Sequence, residues 1–320
     1  MRLFWPCAGL LLIASTGVPA QDVSGGGDPI PFVKKGLAQN AAGDFTKALD
    51  SFNHALELDP RDSAAFEGRG ETHLGLGDTA DAITDFTKAL KIEPANEAAF
   101  FHRGLAESRQ GSYPAAIADF NQALNLTSLA PLDAPNILFE RGRAKYLQGD
   151  VKNAMTDLNQ AVGLKPAMAD GYFFRGLAQD DQGAFDAAAA DFSTAAKNGA
   201  PTAPLWFWEA QMEGHHDDDA NAKLPGLVSE ALGSHPDAWI SDLASLLSQK
   251  TTESQIQADV QSATPGNHRD AEASFFVGLS REYTGDTAGA KQSYQRIIAL
   301  GDASSYYTIE AKRHLAKLSP

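Results

Sequence analysis

The chain has almost no cysteine, because its single thiol, Cys7, lies close to the first residue. The rest of the chain therefore forms no disulfide within itself and offers no cysteine nucleophile, so its fold relies on packing alone. Basic residues are also few: 26 lysines and arginines stand against 41 aspartates and glutamates, which gives a net charge of −15. An acidic surface of this kind is a poor partner for nucleic acid, and no basic amphipathic helix for an anionic membrane is present.

Signatures of catalysis are missing as well. The sequence predicts no strand from which a phosphate-binding loop could follow, and it contains no Gly-x-Ser-x-Gly turn. The densest group of ligand-type residues is His215-His216-Asp217-Asp218-Asp219, which lacks the helical His-x-x-x-His spacing of a zinc site. We interpret it as a solvated acidic turn and predict no catalytic residue, no metal and no cofactor. A metal-dependent enzyme built on His215 to Asp219 is the alternative.

The first twenty residues form a segment of their own. Arg2 precedes an apolar run from Leu3 to Ile13, and Val18-Pro19-Ala20 places small residues where a signal peptidase reads them. The run is too short to span a bilayer. We therefore predict a signal peptide at 1–20, cleaved near Ala20, and a periplasmic or secreted protein without a membrane span.

A 34-residue pattern fills most of the chain after this segment. Each copy carries a glycine in its first half and a large apolar residue in its second half, separated by a Gly-Asp or similar turn. The glycines are Gly36, Gly70, Gly104, Gly142 and Gly176, and the large residues are Phe52, Phe86, Phe120, Leu158 and Phe192. The pattern predicts helix, tight turn and helix, in which small residues let the helices approach and large ones fill the gaps.

This spacing and residue pattern resemble the tetratricopeptide repeat. The resemblance implies an all-α fold, a right-handed α–α superhelix, that serves as a scaffold for protein or peptide partners. We predict one array, which comprises a signal peptide 1–20, a flexible linker 21–31, five repeats 32–200, a degenerate repeat with irregular helices 201–268, a C-terminal repeat 269–302 and a capping helix 303–320.

An arginine and an aspartate occur together in four of the copies. Copies two to five place Arg just before the first glycine and Asp just before the large residue of the second helix, whereas the first and last copies lack both. We predict structural ion pairs Arg69–Asp85, Arg103–Asp119, Arg141–Asp157 and Arg175–Asp191. Carboxylates that recur identically in four copies do not mark an active site.

Partner binding is predicted on the inner face of the array, which the first helix of each copy forms. The residues one helical turn apart there in copies three to five are Phe101 and Leu105, Phe139 and Arg143, and Phe173 and Leu177. We expect the three phenylalanines to form a ladder, edged by Arg109 and Arg143. Such a surface fits an extended or helical peptide with apolar and acidic side chains, although burial of the rings in the core remains open.

The degenerate region holds Trp206, Trp208 and Trp239, the three tryptophans after the leader. They either fill an irregular junction of the array or form an aromatic surface for a partner. We further expect the terminal helix, from Ser304 to Leu318, to cap the array with Lys312, Arg313, His314 and Lys317 exposed.

The region from Trp239 to Leu318 resembles NlpI-type bacterial repeat proteins. The features shared are a tryptophan that opens a leucine-rich helix and the stretch Glu-Ala-x-Phe-Phe-x-Gly before Gly285-Asp286. The resemblance implies a periplasmic adaptor that docks cell-wall hydrolases or proteases. We therefore predict a non-enzymatic adaptor for envelope proteins, of undetermined oligomeric state; the alternative is a structural subunit of an envelope assembly or export complex.

Overall fold

The computed structural model describes residues 27–126, 134–233, 237–254, 256, 269–300 and 306–318, and every regular element in these ranges is a helix. The predicted all-α fold is thus confirmed. The predicted signal peptide, 1–20, lies outside the described residues. The chain packs as two compact units, unit 1 at 1–131 and unit 2 at 132–320.

Unit 1 contains three of the predicted copies, each a pair of helices joined by a tight turn. Its helices are α1 (Ile30–Ala41), α2 (Phe45–Leu58), α3 (Ser63–Leu76), α4 (Thr79–Ile92), α5 (Glu97–Arg109) and α6 (Tyr113–Leu126). Each helix packs chiefly on the next one along the chain, and the first helices of successive copies also contact one another. This is the nearest-neighbour packing of a repeat protein.

Unit 2 continues with the same kind of helix pair and ends with a single helix. Its helices whose bounds are described are α7 (Ala134–Gln148), α8 (Val151–Leu164), α9 (Ala169–Asp180), α10 (Phe185–Lys197), α11 (Ala203–Glu213), α12 (Asp217–Leu232), α13 (Ala238–Leu247), α14 (Arg269–Tyr283), α15 (Thr287–Ala299) and α16 (Tyr306–Lys317). Although the repeat pattern is degenerate after residue 200, α11 and α12 still pack as a pair. Pro225 lies inside α12.

The turns inside the copies depend on a glycine in the left-handed region. Gly77 has a φ of 91°, a backbone conformation that residues with a Cβ atom rarely adopt. The following amide, of Asp78, donates to the carbonyl of His73 at 2.8 Å, which satisfies the end of α3. The Asp78 side chain makes no cap hydrogen bond, whereas Asp150 accepts from the Asn153 amide and caps α8.

Close contact between the two helices of a copy is made by one large side chain seated against one glycine. Phe120 on α6 is fully buried, and a Cβ atom at Gly104 on α5 would lie 2.8 Å from its ring. Real Cβ atoms do not come this close, so only glycine fits. The same arrangement recurs at Gly36 with Phe52, Gly70 with Phe86, Gly176 with Phe192 and Gly278 with Tyr294.

The four arginine–aspartate pairs tie the first helix of a copy to its second. In each, Nε and Nη2 of the guanidinium donate to the two carboxylate oxygens at 2.6–2.8 Å, and the aspartate is buried. Two-pronged geometry of this kind is the strong form of the charged hydrogen bond. In the first copy, which lacks the pair, the Ser51 hydroxyl lies 2.7 Å from the Gln39 side-chain amide instead.

We expect Gly176→Ala to lower the free energy of unfolding by about 1–3 kcal/mol, because the new methyl group would meet the Phe192 ring at 2.8 Å. Gly163→Ala on α8 is the matched control, since a Cβ atom there meets nothing within 4 Å. Gly163→Ala should raise the free energy of unfolding by about 0.5–1 kcal/mol, because alanine has a higher helix propensity than glycine. Urea unfolding followed by circular dichroism measures both, and equal effects would contradict the packing argument.

Removing Arg175 should cost more than removing an exposed ion-pair partner, because Asp191 would remain buried without its cation. We expect Arg175→Met to destabilise by about 3 kcal/mol, and Arg175→Met with Asp191→Asn to recover at least half of that loss. The control is Lys47→Met, whose pair with Asp44 is 67% and 51% exposed and is worth less than about 1 kcal/mol. Urea unfolding of these variants beside the natural chain is the measurement; no recovery in the double variant would show that charge burial is not the cause.

Candidate functional site

The first helices of unit 1, α1, α3 and α5, contact each other and form one surface, here called the first-helix face of unit 1. Leu37, Phe101 and Leu105 are partly exposed on these helices, and Arg109 is exposed at the end of α5. The Phe101 ring lies 5.5 Å from the His102 ring and 6.0 Å from the Phe120 ring. Arg109 Nη1 donates to the Leu74 carbonyl at 3.0 Å.

Two carboxylates and an imidazole meet on this face. Glu67 and Glu71 lie one helical turn apart on α3, and His102 faces them from α5. His102 Nδ1 lies 3.3 Å from Glu71 Oε1, and the Asn96 side chain donates to Glu67 Oε2 at 2.7 Å. These two carboxylates thus contact an amide and an imidazole and lie close to each other.

Burial sets the protonation of this cluster. Burial raises the pKa of Glu71 to about 7. Burial also raises the pKa of Glu67; the charge of Glu71 adds to this effect, and the hydrogen bond from Asn96 opposes it. Burial also lowers the pKa of His102, which keeps that ring neutral near pH 7. Carboxylates in this state gain from any cation brought to them, because a cation favours their ionised form.

Two clusters in the described part of the chain have the spacing that a metal ion needs. Glu67, Glu71 and His102 form one, and Glu209, Glu213 and His314 the other; in each, the three ligand atoms lie within 4.8 Å of one another. The second is already an ion-pair network, since Lys317 Nζ lies 2.6 Å from Glu213 Oε1 and His314 Nε2 lies 3.4 Å from Glu209 Oε1.

The predicted metal alternative, His215 to Asp219, belongs to neither cluster. These residues are exposed around the start of α12, and Asp219 pairs with Lys223 at 2.7 Å. His216 Nε2 lies 3.2 Å from an exposed oxygen of Asp186. The segment is exposed, as predicted, but its three acids form the first turn of α12 and not a loop; negative charge is favoured at a helix N-terminus.

The prediction of an exposed phenylalanine ladder is wrong for two of its three members. Phe139 and Phe173 are only 4% and 5% exposed, whereas Phe101 is partly exposed. The Phe139 ring packs against Phe174, and the Phe173 ring packs against Phe174, Phe192 and Trp206. Tyr306 of α16 adds a further contact, 5.7 Å from the Phe173 ring. Leu177 is buried as well.

Arg143 does not edge an open groove either. Its guanidinium lies over the Phe174 ring, 5.5 Å from the centroid, and its Nη1 donates to Glu140 at 3.2 Å. The arginines that led us to expect acidic side chains in a partner are thus engaged within the chain.

The tryptophans fill the core of unit 2 and form no partner surface. Trp206, Trp208 and Trp239 are at most 5% exposed. Trp206 stacks on Phe275 with ring centroids 5.0 Å apart, and the indole N–H of Trp239 donates to Glu272 at 2.8 Å. The signal was in the sequence, because α11 begins with the continuous apolar run Ala-Pro-Leu-Trp-Phe-Trp at 203–208, as expected of a buried segment.

The terminal helix was predicted to cap the array with four exposed cations, and this is wrong for two of them. His314 is fully buried and the Arg313 side chain is 19% exposed, whereas Lys312 and Lys317 are exposed. Arg313 and His314 instead form ion pairs with acids of α9, α11 and α14. Sequence reasoning missed this network, because Arg313 bonds to residues 104 and 132 positions away in the chain.

The fold is that of an α-helical repeat scaffold. A family model described as tetratricopeptide repeat matches residues 33–97, 68–137, 101–169 and 139–204. These overlapping matches cover more than half of the 320 residues. The chain therefore belongs to the tetratricopeptide repeat family, whose members are scaffolds for protein–protein interaction. No curated protein sequence matches it.

Several solved structures share the fold. PilW, described as a widely conserved type IV pilus biogenesis factor, is 17% identical, with 64% of this chain and 98% of PilW covered and a TM-score of 0.56. PilF of Pseudomonas aeruginosa is 15% identical, with 65% and 93% covered and a TM-score of 0.55. MamA is 22% identical, with 55% and 94% covered and a TM-score of 0.47. At these identities the likeness concerns the fold alone.

None of the helices in the described ranges combines the length and the hydrophobicity needed to cross a bilayer.

Replacing Glu71 by glutamine should stabilise the chain, and more so at higher pH. A carboxyl whose folded pKa is about 7 contributes its stability below its unfolded value and loses it as pH rises through 7. Because the side chain is 32% exposed, we discount the full shift and expect Glu71→Gln to gain about 1–2 kcal/mol at pH 8 and little at pH 4. Thermal unfolding at both pH values measures it. Glu57→Gln, at a 73% exposed site, is the control; a gain at Glu71 that does not grow with pH would contradict the assignment.

Proposed function

We propose that the chain is a non-enzymatic adaptor of the bacterial cell envelope, which binds protein partners on the first-helix face of unit 1. The observation that carries this proposal is the surface itself: partly exposed Phe101 and Leu105 beside Glu67 and Glu71. Within unit 1, the described residues supply no helix beyond the three pairs, so none of them occupies this face. Repeat scaffolds bind their partners on such surfaces.

The chemistry of the face specifies the partner. Apolar contact is available at Phe101 and Leu105, and the paired carboxylates offer a place for one positive charge. We infer that the partner presents an extended or helical segment with an apolar side chain and a lysine or arginine. This replaces the acidic ligand that the sequence led us to expect, since Arg109 and Arg143 bond within the chain.

The envelope location rests on the first twenty residues. Their basic start, apolar run and small residues at 18–20 support export and cleavage near Ala20. The NlpI-type resemblance of the C-terminal region supports cell-wall hydrolases or proteases as the proteins that are docked. The alternative, a permanent subunit of an envelope assembly, differs in that the first-helix face would be buried between copies.

Site-specific photo-crosslinking in living cells tests both parts. With a photoreactive amino acid at Phe101, we expect a discrete product with another protein, lost in Glu71→Lys because the partner's cation is repelled. The chain recovered from the periplasmic fraction should begin near Gln21.

The controls lie on the second helix of a neighbouring copy. The probe at exposed Lys91 should give no such product, and Asp81→Lys should leave the Phe101 product intact. A product that survives Glu71→Lys would overturn the binding face. A product with a second copy of the chain would favour the structural subunit, and an uncleaved cytoplasmic chain would overturn the envelope location alone.

A further inference from the structure

The first helices of unit 2, α7, α9 and α11, form a surface of the same kind, here called the first-helix face of unit 2, and α16 lies on it. The two tyrosines at the start of α16 contact aromatic residues of this region. The Tyr306 ring lies 5.7 Å from that of Phe173 and 5.9 Å from that of Trp206. Tyr307 is buried and donates to Glu272 at 2.7 Å. The chain thus places one of its own helices where repeat scaffolds hold a partner.

Two turns further along, α16 presents cations to a surface of carboxylates. Arg313 pairs with Asp180, with Asp181 at 2.9 Å and with Glu209 at 3.3 Å. Three further pairs complete the set, His314 with Glu282 at 2.9 Å, His314 with Glu209 at 3.4 Å and Lys317 with Glu213 at 2.6 Å. Five acids from α9, α11 and α14 and the turn after α9 therefore face three cations of α16.

α16 is nevertheless an imperfect occupant, because it brings a sixth acid of its own. Glu310 is fully buried, accepts from the Tyr146 hydroxyl at 2.8 Å and lies 3.1 Å from Arg313 of the same helix. Six carboxylates then share three cations. One buried oxygen on each of Asp180 and Glu209 has no hydrogen-bond partner, and Glu310 Oε2 lies beside Arg313 Nε without the geometry of a hydrogen bond. Buried polar atoms left unpaired in this way cost free energy.

We propose that the first-helix face of unit 2 is a binding site for a helix of a protein partner, and that α16 occupies this site until the partner binds. The partner helix displaces α16 because it has the same pattern of aromatic and cationic residues as α16 but no acid at the position of Glu310. The pattern is an aromatic pair at the start of the helix, followed by cations seven, eight and eleven residues after the first aromatic. These positions lie on one face of a helix. This site is separate from the one proposed on unit 1.

The protonation of the network agrees with this proposal. Burial and the charge of Glu209 raise the pKa of Asp180 to about 8, and burial raises that of Glu310 to about 7. Burial alone would lower the pKa of His314, but hydrogen bonds with Glu209 and Glu282 outweigh it and raise it to about 9. The tyrosines around the network, Tyr146, Tyr283 and Tyr294, have raised pKa values and stay neutral.

Asp180, Glu310 and His314 have raised pKa values and share one sign of pH dependence, whereas the pKa values of Glu209 and Glu282 are lowered, so their contribution is lost as pH falls. While α16 is docked, Asp180 and Glu310 keep their protons at pH values above the ordinary carboxyl pKa. When α16 is released they lose these protons, so docking weakens as pH rises towards 8. The contribution of His314 is complete below its ordinary value and is lost as pH rises through 9. The remaining acids that face α16, Asp181, Glu209, Glu213 and Glu282, act as its ion-pair partners.

The test uses the full chain and two fluorescent peptides with the sequence of residues 306–318, one natural and one carrying Glu310→Gln. Fluorescence anisotropy at pH 7 measures their affinity for the chain. We expect the Gln peptide to bind on the order of tenfold more tightly, because it leaves one carboxylate fewer in the buried network. Equal binding of the two peptides would overturn the proposal.

Variants of the chain show whether the peptides compete with α16. Lys317→Ala removes one ion pair at an exposed residue and should raise the affinity for both peptides several-fold. Lys312→Ala, on the exposed side of α16, should leave it unchanged. Glu310→Gln in the chain should improve the resident helix and weaken both peptides. Binding unaffected by these variants, or no binding to Lys317→Ala, would overturn the proposal.

Discussion

The seating of one large side chain against one glycine is the contact on which the rest of this structure depends. A ring at Phe120 reaches the backbone of α5 only because Gly104 has no Cβ atom, and that approach brings the two helices of a copy together. The arginine–aspartate pairs depend on it in turn. Arg103 and Asp119 flank this contact on their two helices, so a two-pronged ion pair forms without distortion of either helix.

Repetition makes this part of the structure predictable from the sequence. A copy is stabilised by residues within itself and its neighbours, so the residues that make its contacts recur at fixed spacing. The four ion pairs and the glycine contacts could be written down in advance for this reason. The return of α16 could not, because Tyr146 and Glu310, which hydrogen-bond, are 164 residues apart and no periodic signal joins them. The contact of Tyr306 with Phe173 was hidden for the same reason.

The two first-helix faces differ in what occupies them, although the same repeat builds both. On α3 and α5 of unit 1, Glu67, Glu71 and Phe101 are partly exposed, and burial alone has raised the pKa of Glu71. On unit 2, the equivalent helices bury their aromatic side chains, in part against Tyr306 of α16, and pair their acids with its cations. A repeat scaffold can therefore leave one first-helix face partly exposed and cover another with a segment of its own chain.

Both first-helix faces carry buried or partly buried carboxylates, and this gives the acidity of the chain a more specific meaning than solubility. Charges exposed on a surface are screened within about 10 Å at 0.1 M salt, so most of the 41 acidic residues contribute little to the choice of a partner. Carboxylates that are shielded from water keep their electrostatic effect at short range, and their raised pKa values show the cost of leaving them without enough cations. A cationic helix or segment relieves that cost wherever it docks. The excess of acid over base is thus most effective at the few carboxylates that are buried on the two faces.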